Sequence, residues 1–321
     1  MSGRRLRLLL WHVHGSWTTA FVQGTHEYLL PVLPDRGPDG LGRARTWTWP
    51  ASVVERSPQQ LHGETIDAVI LQRPHELALT RQWTGRRPGI DLPAIYLEHN
   101  APEPHPVRSR HPLADRSDIP IVHVTHFNQL YWDNGCAPNS IIEHGIPDPG
   151  ERYTGELPHA AVVVNEPARR GRMVGTDLLP GFAAAAPIDL FGMSDMPPAP
   201  TPGIRLLGDV PQERMHYELA QRRLYLHTTR WTSLGLALIE AMQLAMPVVA
   251  IAGTEVGEAV PLDAGVVSTN LRRLHDAIRT YVEEPETARL AGKAGRAHAL
   301  ERYGLPRFLE DWDRALAAVL A

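Results

Sequence analysis

Cysteine and lysine are almost missing from this chain: Cys136 and Lys293 are the single examples of each among 321 residues. One cysteine excludes an intramolecular disulfide and any multi-cysteine zinc or iron–sulfur centre. The shortage of lysine, in a chain with 32 basic residues, fits a high-GC genome better than any mechanism. An excess of one charge is lacking too. The 32 basic residues face 36 acidic ones, for a net charge of −4, which is not the footprint of a nonspecific nucleic-acid binder. No apolar run reaches the roughly 18 residues of a membrane span. The opening MSGRRLRLLLWHVHG starts like a signal peptide, but His12 and His14 break the apolar run and no small-residue cleavage site follows. A first buried strand and a cytoplasmic location are expected.

What is present is ordinary globular composition, 43% hydrophobic and 21% charged, in a length that suggests two domains. Short apolar runs alternate with helix-like stretches. Strands are expected at 6–11, 68–71, 94–98, 121–125, 140–143, 160–165, 188–192, 224–228, 247–251 and 265–267. Most are apolar on both faces, as parallel strands covered by helices should be. Helices are expected at 21–33, 177–185, 212–222, 235–244, 271–283, 285–303 and 306–320. This alternation predicts an α/β fold of doubly wound units. The Pro/Gly-rich stretch 147–155 marks a break. It separates an N-terminal domain at 1–149 from a C-terminal one at 150–304, with a last helix at 305–321. The segment 33–50 reads as a surface loop, and 193–202, with four prolines, as a loop between a strand and a helix.

The richest segment runs from Leu224 to Ala252: a buried strand, a polar loop, then a helix opened by Gly235 and stopped before Pro247. A helix start offers free amides and a dipole to an anion. Glu240, in the second turn, can accept from vicinal ribose hydroxyls. The alternative is a plain strand–loop–helix–strand unit with a buried glutamate.

The run Leu234-Gly-Leu-Ala-Leu-Ile-Glu-Ala-Met-Gln-Leu-Ala-Met-Pro-Val-Val249 resembles the C-terminal signature of retaining GT-B glycosyltransferases, the family-4 type of glycosyl transferases group 1. The resemblance implies two Rossmann-like domains whose parallel sheets face a central cleft, the N-terminal one on the acceptor side. It implies that Glu240 binds ribose and that the amides of Gly235 and Leu236 hold a diphosphate. Leu206-Leu-Gly-Asp-Val-Pro-Gln-Glu-Arg214 is similar to the loop that passes the nucleobase, with Val210 at its centre. Glu143-His-Gly-Ile-Pro147, Thr254–Val260 and Gly265–Val267 follow the family's order loosely, and the last helix resembles one that crosses back to the N-terminal domain.

Two departures stand out. Thr232, followed by Ser233, occupies the place of a glutamate that in relatives contacts the donor sugar. A neutral hydroxyl bonds about half as strongly as a charged partner. Val174 falls where relatives carry a diphosphate-binding lysine. Arg172, then Arg169, in a loop that also holds Arg170, are the candidates to replace it, against the alternative of a solvated face. In the N-terminal half, Gly15 lets a ligand approach the backbone. His99 follows a strand end, where relatives have a histidine that meets the donor sugar. Thr125 and His126 are acceptor-side candidates. His12 and His14, on one face of a strand, raise a metal site, but no third ligand stands at a recognisable spacing and the family is metal-independent. Cys136 reads as a small loop hydrophobe.

The expected function is transfer of a glycosyl group, with retention, from a UDP- or GDP-linked sugar to a glycan, lipid-linked or small-molecule acceptor. No cofactor, nucleic-acid partner or transmembrane segment is expected. The rival is a nucleotide-sugar-binding protein without transfer activity, suggested by Thr232. A second rival is a GT-B epimerase or phosphorylase; the phosphorylase is disfavoured because Lys293 lies in a late helix, outside any pyridoxal context.

Overall fold

The computed structural model describes residues 4–44, 47–194, 196 and 199–321. The chain divides into two units, one formed by Met1–Ile146 with Leu305–Ala321 and the other by Pro147–Gly304.

The first unit is built on seven strands, β1 (Arg7–Leu10), β2 (Glu27–Pro31), β3 (Val53–Arg56), β4 (Ala68–Leu71), β5 (Ala94–Glu98), β6 (Ile121–His123) and β7 (Asn139–Ile141). Their order is β3-β2-β1-β4-β5-β6-β7, and every pairing is parallel. Helices α1 (Gly15–Phe21), α2 (Pro58–Leu61), α3 (Glu76–Thr84) and α4 (His126–Tyr131) connect them. All of β4 and β5 is buried, which is why their sequences are apolar on both faces.

The second unit has β8 (Leu157–Val163), β9 (Ile188–Phe191), β10 (Ile204–Gly208), β11 (Arg222–His227), β12 (Val248–Ile251) and β13 (Gly265–Ser268), also all parallel, in the order β10-β9-β8-β11-β12-β13. Its helices are α5 (Pro167–Arg170), α6 (Leu179–Phe182), α7 (Gln212–Gln221), α8 (Leu236–Gln243), α9 (Val256–Ala259), α10 (Leu271–Glu283) and α11 (Pro285–Tyr303). The last helix, α12 (Leu305–Leu320), returns to the first unit, where Trp312 lies 5.5 Å from Trp17 and 5.0 Å from Phe21 between ring centroids.

In both sheets the strand order reverses beside the first strand of the unit, at β1/β4 and at β8/β11. Loops leaving the carboxyl ends of parallel strands at such a reversal diverge, and the crevice between them is where open α/β sheets bind ligands. No helix among the described residues is long and apolar enough to cross a membrane.

Several elements differ from the expectations. The helix expected at 21–33 is the end of α1, a turn, and β2. The run Tyr28-Leu-Leu-Pro31 is buried and is claimed by ladders on both sides, to β1 and β3. The expected helix at 177–185 is a 3₁₀ turn, Thr176–Leu178, followed by one turn of α6. Strand β10 runs into the start of the expected nucleobase loop; it is a largely exposed edge, so it lacks a buried strand's pattern. Residues 193–202 therefore join two strands rather than a strand and a helix, and positions 195, 197 and 198 lie outside the described residues. The expected surface loop 33–50 is partly folded in: Trp49 is buried and donates from Nε1 to Thr19 Oγ1 at 2.8 Å, while Arg43 Nη2 donates to Trp49 O at 2.7 Å. Positions 45 and 46 lie outside the described residues. Cys136 is exposed rather than packed as a small hydrophobe.

Candidate active site

In the second unit the loops after β8 and β11, which flank the strand-order reversal, are stapled together. Thr228 Oγ1 donates to Val174 O at 2.8 Å, and the amides of Arg230 and Trp231 donate to Met173 O at 2.9 and 3.2 Å. Gly175 makes this approach possible. Its φ is +77°, and a Cβ there would stand 2.1 Å from Thr228 O. Val174, beside it, is 2% exposed and packs in the core, so this position carries no charge into the site.

The arginines are arranged around Asp177. Arg172 Nη1 donates to Asp177 Oδ2 at 3.0 Å. Arg230, which the sequence reading missed, holds the same carboxylate with two bonds of 2.6 and 2.9 Å and also donates to Arg172 O at 2.7 Å. The Arg230 guanidinium, helped by Arg172, keeps Asp177 below the usual carboxylate range. The Arg172 side chain is 79% exposed against 28% for Arg230. Arg169 is exposed on α5 and lies 3.9 Å from Glu166 Oε2. Two guanidinia thus share one carboxylate, leaving this three-residue cluster with one positive charge in excess.

Helix α8 starts without a side-chain cap: Gly235 is its extended N-cap residue. The first amides of such a helix, including that of Leu236, have no partner within the helix and make an anion seat. A Cβ on Gly235 would come within 3.1 Å of His227 Cε1, so glycine lets the helix start press onto β11. His227 is buried with Nε2 lacking a hydrogen-bond partner, and burial lowers its pKa to about 4, so it is neutral. Ser233 and Leu234 are buried just before this start, while Thr232 is half-buried.

Glu240 is 4% exposed, one and a half turns into α8, facing α7. Its Oε1 accepts from Gln212 Nε2 at 3.0 Å. Its Oε2 lies 3.3 Å from His216 Nε2, too poorly aligned for a hydrogen bond. Burial, and then the Glu240 charge, raise the pKa of the neighbouring Tyr225 hydroxyl. Val210 is half-buried, two residues before α7 begins.

In the first unit His99 stands at the carboxyl end of β5, 8% exposed. Its ring is 3.9 Å from that of His14 and 6.2 Å from that of His144. The Gln72 amide donates to Trp11 O at 2.8 Å, which turns its Oε1 toward His99 Nε2 at 3.1 Å. His99 therefore carries its proton on Nε2. Burial lowers His14 to about 4 and His144 to about 3, with neighbouring arginine and imidazole groups as secondary causes, and drives His99 well down. Three neutral imidazoles follow, which can hydrogen-bond but hold no proton to donate as acids at neutral pH.

The expected strand pair His12 and His14 lies beyond the end of β1 and does not converge. His12 Nδ1 is 3.0 Å from Gly42 O and its ring packs on Trp49, while His14 turns to His99. Gly15 opens α1, and a Cβ there would fall within 1.8 Å of the Trp47 ring, so an indole and not open space faces it. Thr125 caps α4, accepting from Asn128 N at 3.1 Å, and His126 is exposed.

Comparison with known proteins bears on the fold that carries these residues. Residues 201–298 match the family model described as Glycosyl transferases group 1. The structure is similar to sucrose-phosphate synthase from Thermosynechococcus elongatus, with 15% identity over 98% of this chain and 99% of that one and a TM-score of 0.72. It is also similar to Anabaena HepE, solved in complex with UDP-glucose (13% identity, 98% and 100% coverage, TM-score 0.70). A third likeness is to a point mutant of S. aureus TarM in complex with Fondaparinux, alpha-GlcNAc-glycerol and UDP (14% identity, 78% and 55% coverage, TM-score 0.62). No curated protein sequence matches. The segment that builds α7, β11 and α8 thus matches the glycosyl transferases group 1 family model, and the chain as a whole has the two-sheet GT-B fold of these glycosyltransferases.

Proposed function

We propose that this chain is a glycosyltransferase that uses a nucleoside-diphosphate sugar, UDP- or GDP-linked, and transfers the sugar to an acceptor hydroxyl with retention, without a metal ion or other cofactor. The carrying observation is the pairing of an uncapped helix start at Gly235 with a buried carboxylate at Glu240, on one helix beside an arginine-bearing loop. That spacing fits a nucleoside diphosphate: amides of Gly235 and Leu236 toward the phosphates, Glu240 toward the ribose, Val210 toward the base. Thr232 and Ser233 would meet the sugar, and Arg172, with Arg169, the leaving phosphates. His99 is read as a contact of the acceptor-side unit to the donor, a neutral hydrogen-bonding group, while Gly15, with Trp47 on its Cβ side, would meet a ligand through its backbone alone.

In the reaction the sugar's C1–O bond to the diphosphate breaks and a C1–O bond to the acceptor forms on the same face. The acceptor's proton passes to the departing phosphate oxygen. No side-chain nucleophile is needed. The helix amides and arginines lower the barrier by holding the negative charge that grows on the diphosphate. The acceptor is a glycan, a lipid-linked sugar or a small molecule. A cytoplasmic, bacterial setting belongs to the same reading and rests on composition, including the near absence of lysine.

The test is a panel of nucleotide sugars screened by thermal shift, since a ligand at 100 times its Kd adds about 2.7 kcal/mol. It is followed by NMR of the product's anomeric centre with and without EDTA. Retention and undiminished turnover in EDTA are expected; inversion, or loss of turnover in EDTA, rejects the reading. Glu240→Ala should weaken nucleotide diphosphate binding by about 2–4 kcal/mol, the scale of two hydrogen bonds to a charged acceptor. Calorimetry on the folded variant checks it. The second reading, binding without transfer, is favoured by Thr232 alone, and slow donor hydrolysis by the wild type argues against it.

A further inference from the structure

Gln212 and His216 are separated by four residues on α7 and so lie on the same face of that helix. Both reach Glu240, one to each carboxylate oxygen, at 3.0 and 3.3 Å. His216 is itself buried, and its Nε2 has no hydrogen-bond partner as it stands. A carboxylate has about four acceptor sites. Gln212 takes one site on Oε1 and His216 Nε2 stands against Oε2 without a hydrogen bond, so each oxygen keeps a site for one of the two hydroxyl donors of a vicinal diol. The side chains that approach the carboxylate thus also limit its rotation about the last side-chain bond, a torsion that is otherwise broad.

We propose that Gln212 and His216 are positioning residues that hold Glu240 in the rotamer that accepts both ribose hydroxyls. This inference rests on the ribose reading of Glu240 given above. Neither side chain touches the nucleotide in this arrangement; each acts through the carboxylate. An unheld carboxylate still binds a diol, but it must lose rotational freedom to do so, and affinity falls.

The experiment compares UDP with 2′,3′-dideoxy-UDP by calorimetry on the full chain, or GDP with its dideoxy form if the guanine nucleotide is the one bound. In the wild type the ribonucleotide is expected to bind more tightly. Glu240→Ala should abolish that preference, because its loss affects only the diol. Gln212→Ala and His216→Ala should each weaken the ribonucleotide by about 5- to 20-fold and leave the dideoxy nucleotide within twofold of wild type. His216→Gln, whose amide nitrogen lies at a similar reach, should restore most of the preference.

A merely structural role for α7 would lower both nucleotides together. If Glu240→Ala keeps the ribose preference, or neither diphosphate binds, the ribose reading itself fails. If Glu240→Ala loses the preference while Gln212→Ala keeps it in full, the positioning role is overturned and the ribose reading stands. Gln212 is half-buried at the first turn of α7, so its variant decides the matter even where His216→Ala does not fold.

Discussion

Arg172 and Arg230 converge on Asp177 from two different loops, yet only Arg172 stood out in the sequence. It sits in a visible cluster of arginines, whereas Arg230 is isolated between Thr229 and Trp231, and hydrogen bonds from its loop to Met173, Val174 and Arg172 bring the two together. Their roles should separate in mutants. Arg172→Ala removes an exposed side chain with one bond to Asp177, so Tm should change little while kcat/KM falls by about 10²–10³, the scale of one charge-stabilising donor. Arg230→Ala breaks a bidentate pair and a bond to the neighbouring loop, so it should lower Tm as well as activity. Initial rates and thermal melts of both variants check this; full activity in Arg172→Ala removes that residue from the phosphate contact. Thr232 invites the complementary test. A half-buried hydroxyl stands where relatives are expected to carry a carboxylate, so Thr232→Glu should change which donor sugar is preferred while bare UDP or GDP affinity holds. Identical donor rankings in wild type and variant show that this residue does not read the sugar.

At the scale of elements, what was legible follows from burial. Strands such as β4, β5 and β12, covered on both faces, announce themselves as short, almost wholly apolar runs, and α10, capped by Asn270, and α11, opened by Pro285, are long enough to be read as helices. The exposed edge β10 and the short helices α2 and α4 carry too few apolar residues to make a pattern. The run that became β2 failed differently: its apolar residues suit either period, and pairing with two neighbours decided for the strand. In the candidate site, helix α8 with Gly235 and Glu240 was readable because it is one contiguous motif. The partners of Glu240 were not, because Gln212 and His216 reach it across 24 to 28 residues of sequence. The glycine between the two loops shows how local backbone choice holds such distant pieces together. Gly175→Ala must place a side chain at a φ of +77°, against Thr228 O. Left-handed strain and the clash together should destabilise the second unit by about 2–4 kcal/mol. Equilibrium urea unfolding measures it; a loss under about 0.5 kcal/mol, the scale of an inert surface change, would mean that the two loops separate easily and that the staple does not hold the arginines in place.

Across the whole molecule, histidine is the residue whose burial links fold to solution conditions. His14, His99 and His144 pack together at the carboxyl ends of the first sheet, His123 lies buried under α4, and His227 lies buried under the start of α8. All five have pKa values lowered chiefly by burial, His14, His123 and His227 to about 4, His144 to about 3 and His99 well below normal. In the unfolded chain each titrates near about 6.5. Above that value both states are neutral at these positions and no stability is lost. As pH falls below about 6.5 the unfolded chain takes up protons that the folded chain refuses, so stability falls with a slope of about 1.4 kcal/mol per pH unit for each such proton. The loss continues until the folded pKa values of about 4 to about 3 are reached. Acidic groups held by arginine, such as Asp177 and Asp189, add to the fall only toward the lower end of this window, because their unfolded values lie near about 3.9. Urea midpoints measured between about pH 8 and 5 should therefore be flat above about pH 7 and decline steeply from about 6.5 to 5, before carboxylates contribute. Replacing His227 or His123 with asparagine, which cannot take up a proton, should make that decline shallower in proportion. A stability curve flat over the same acidic range would show that these imidazoles accept protons in the folded state, and would put protonated histidines back among the groups able to act as acids beside His99.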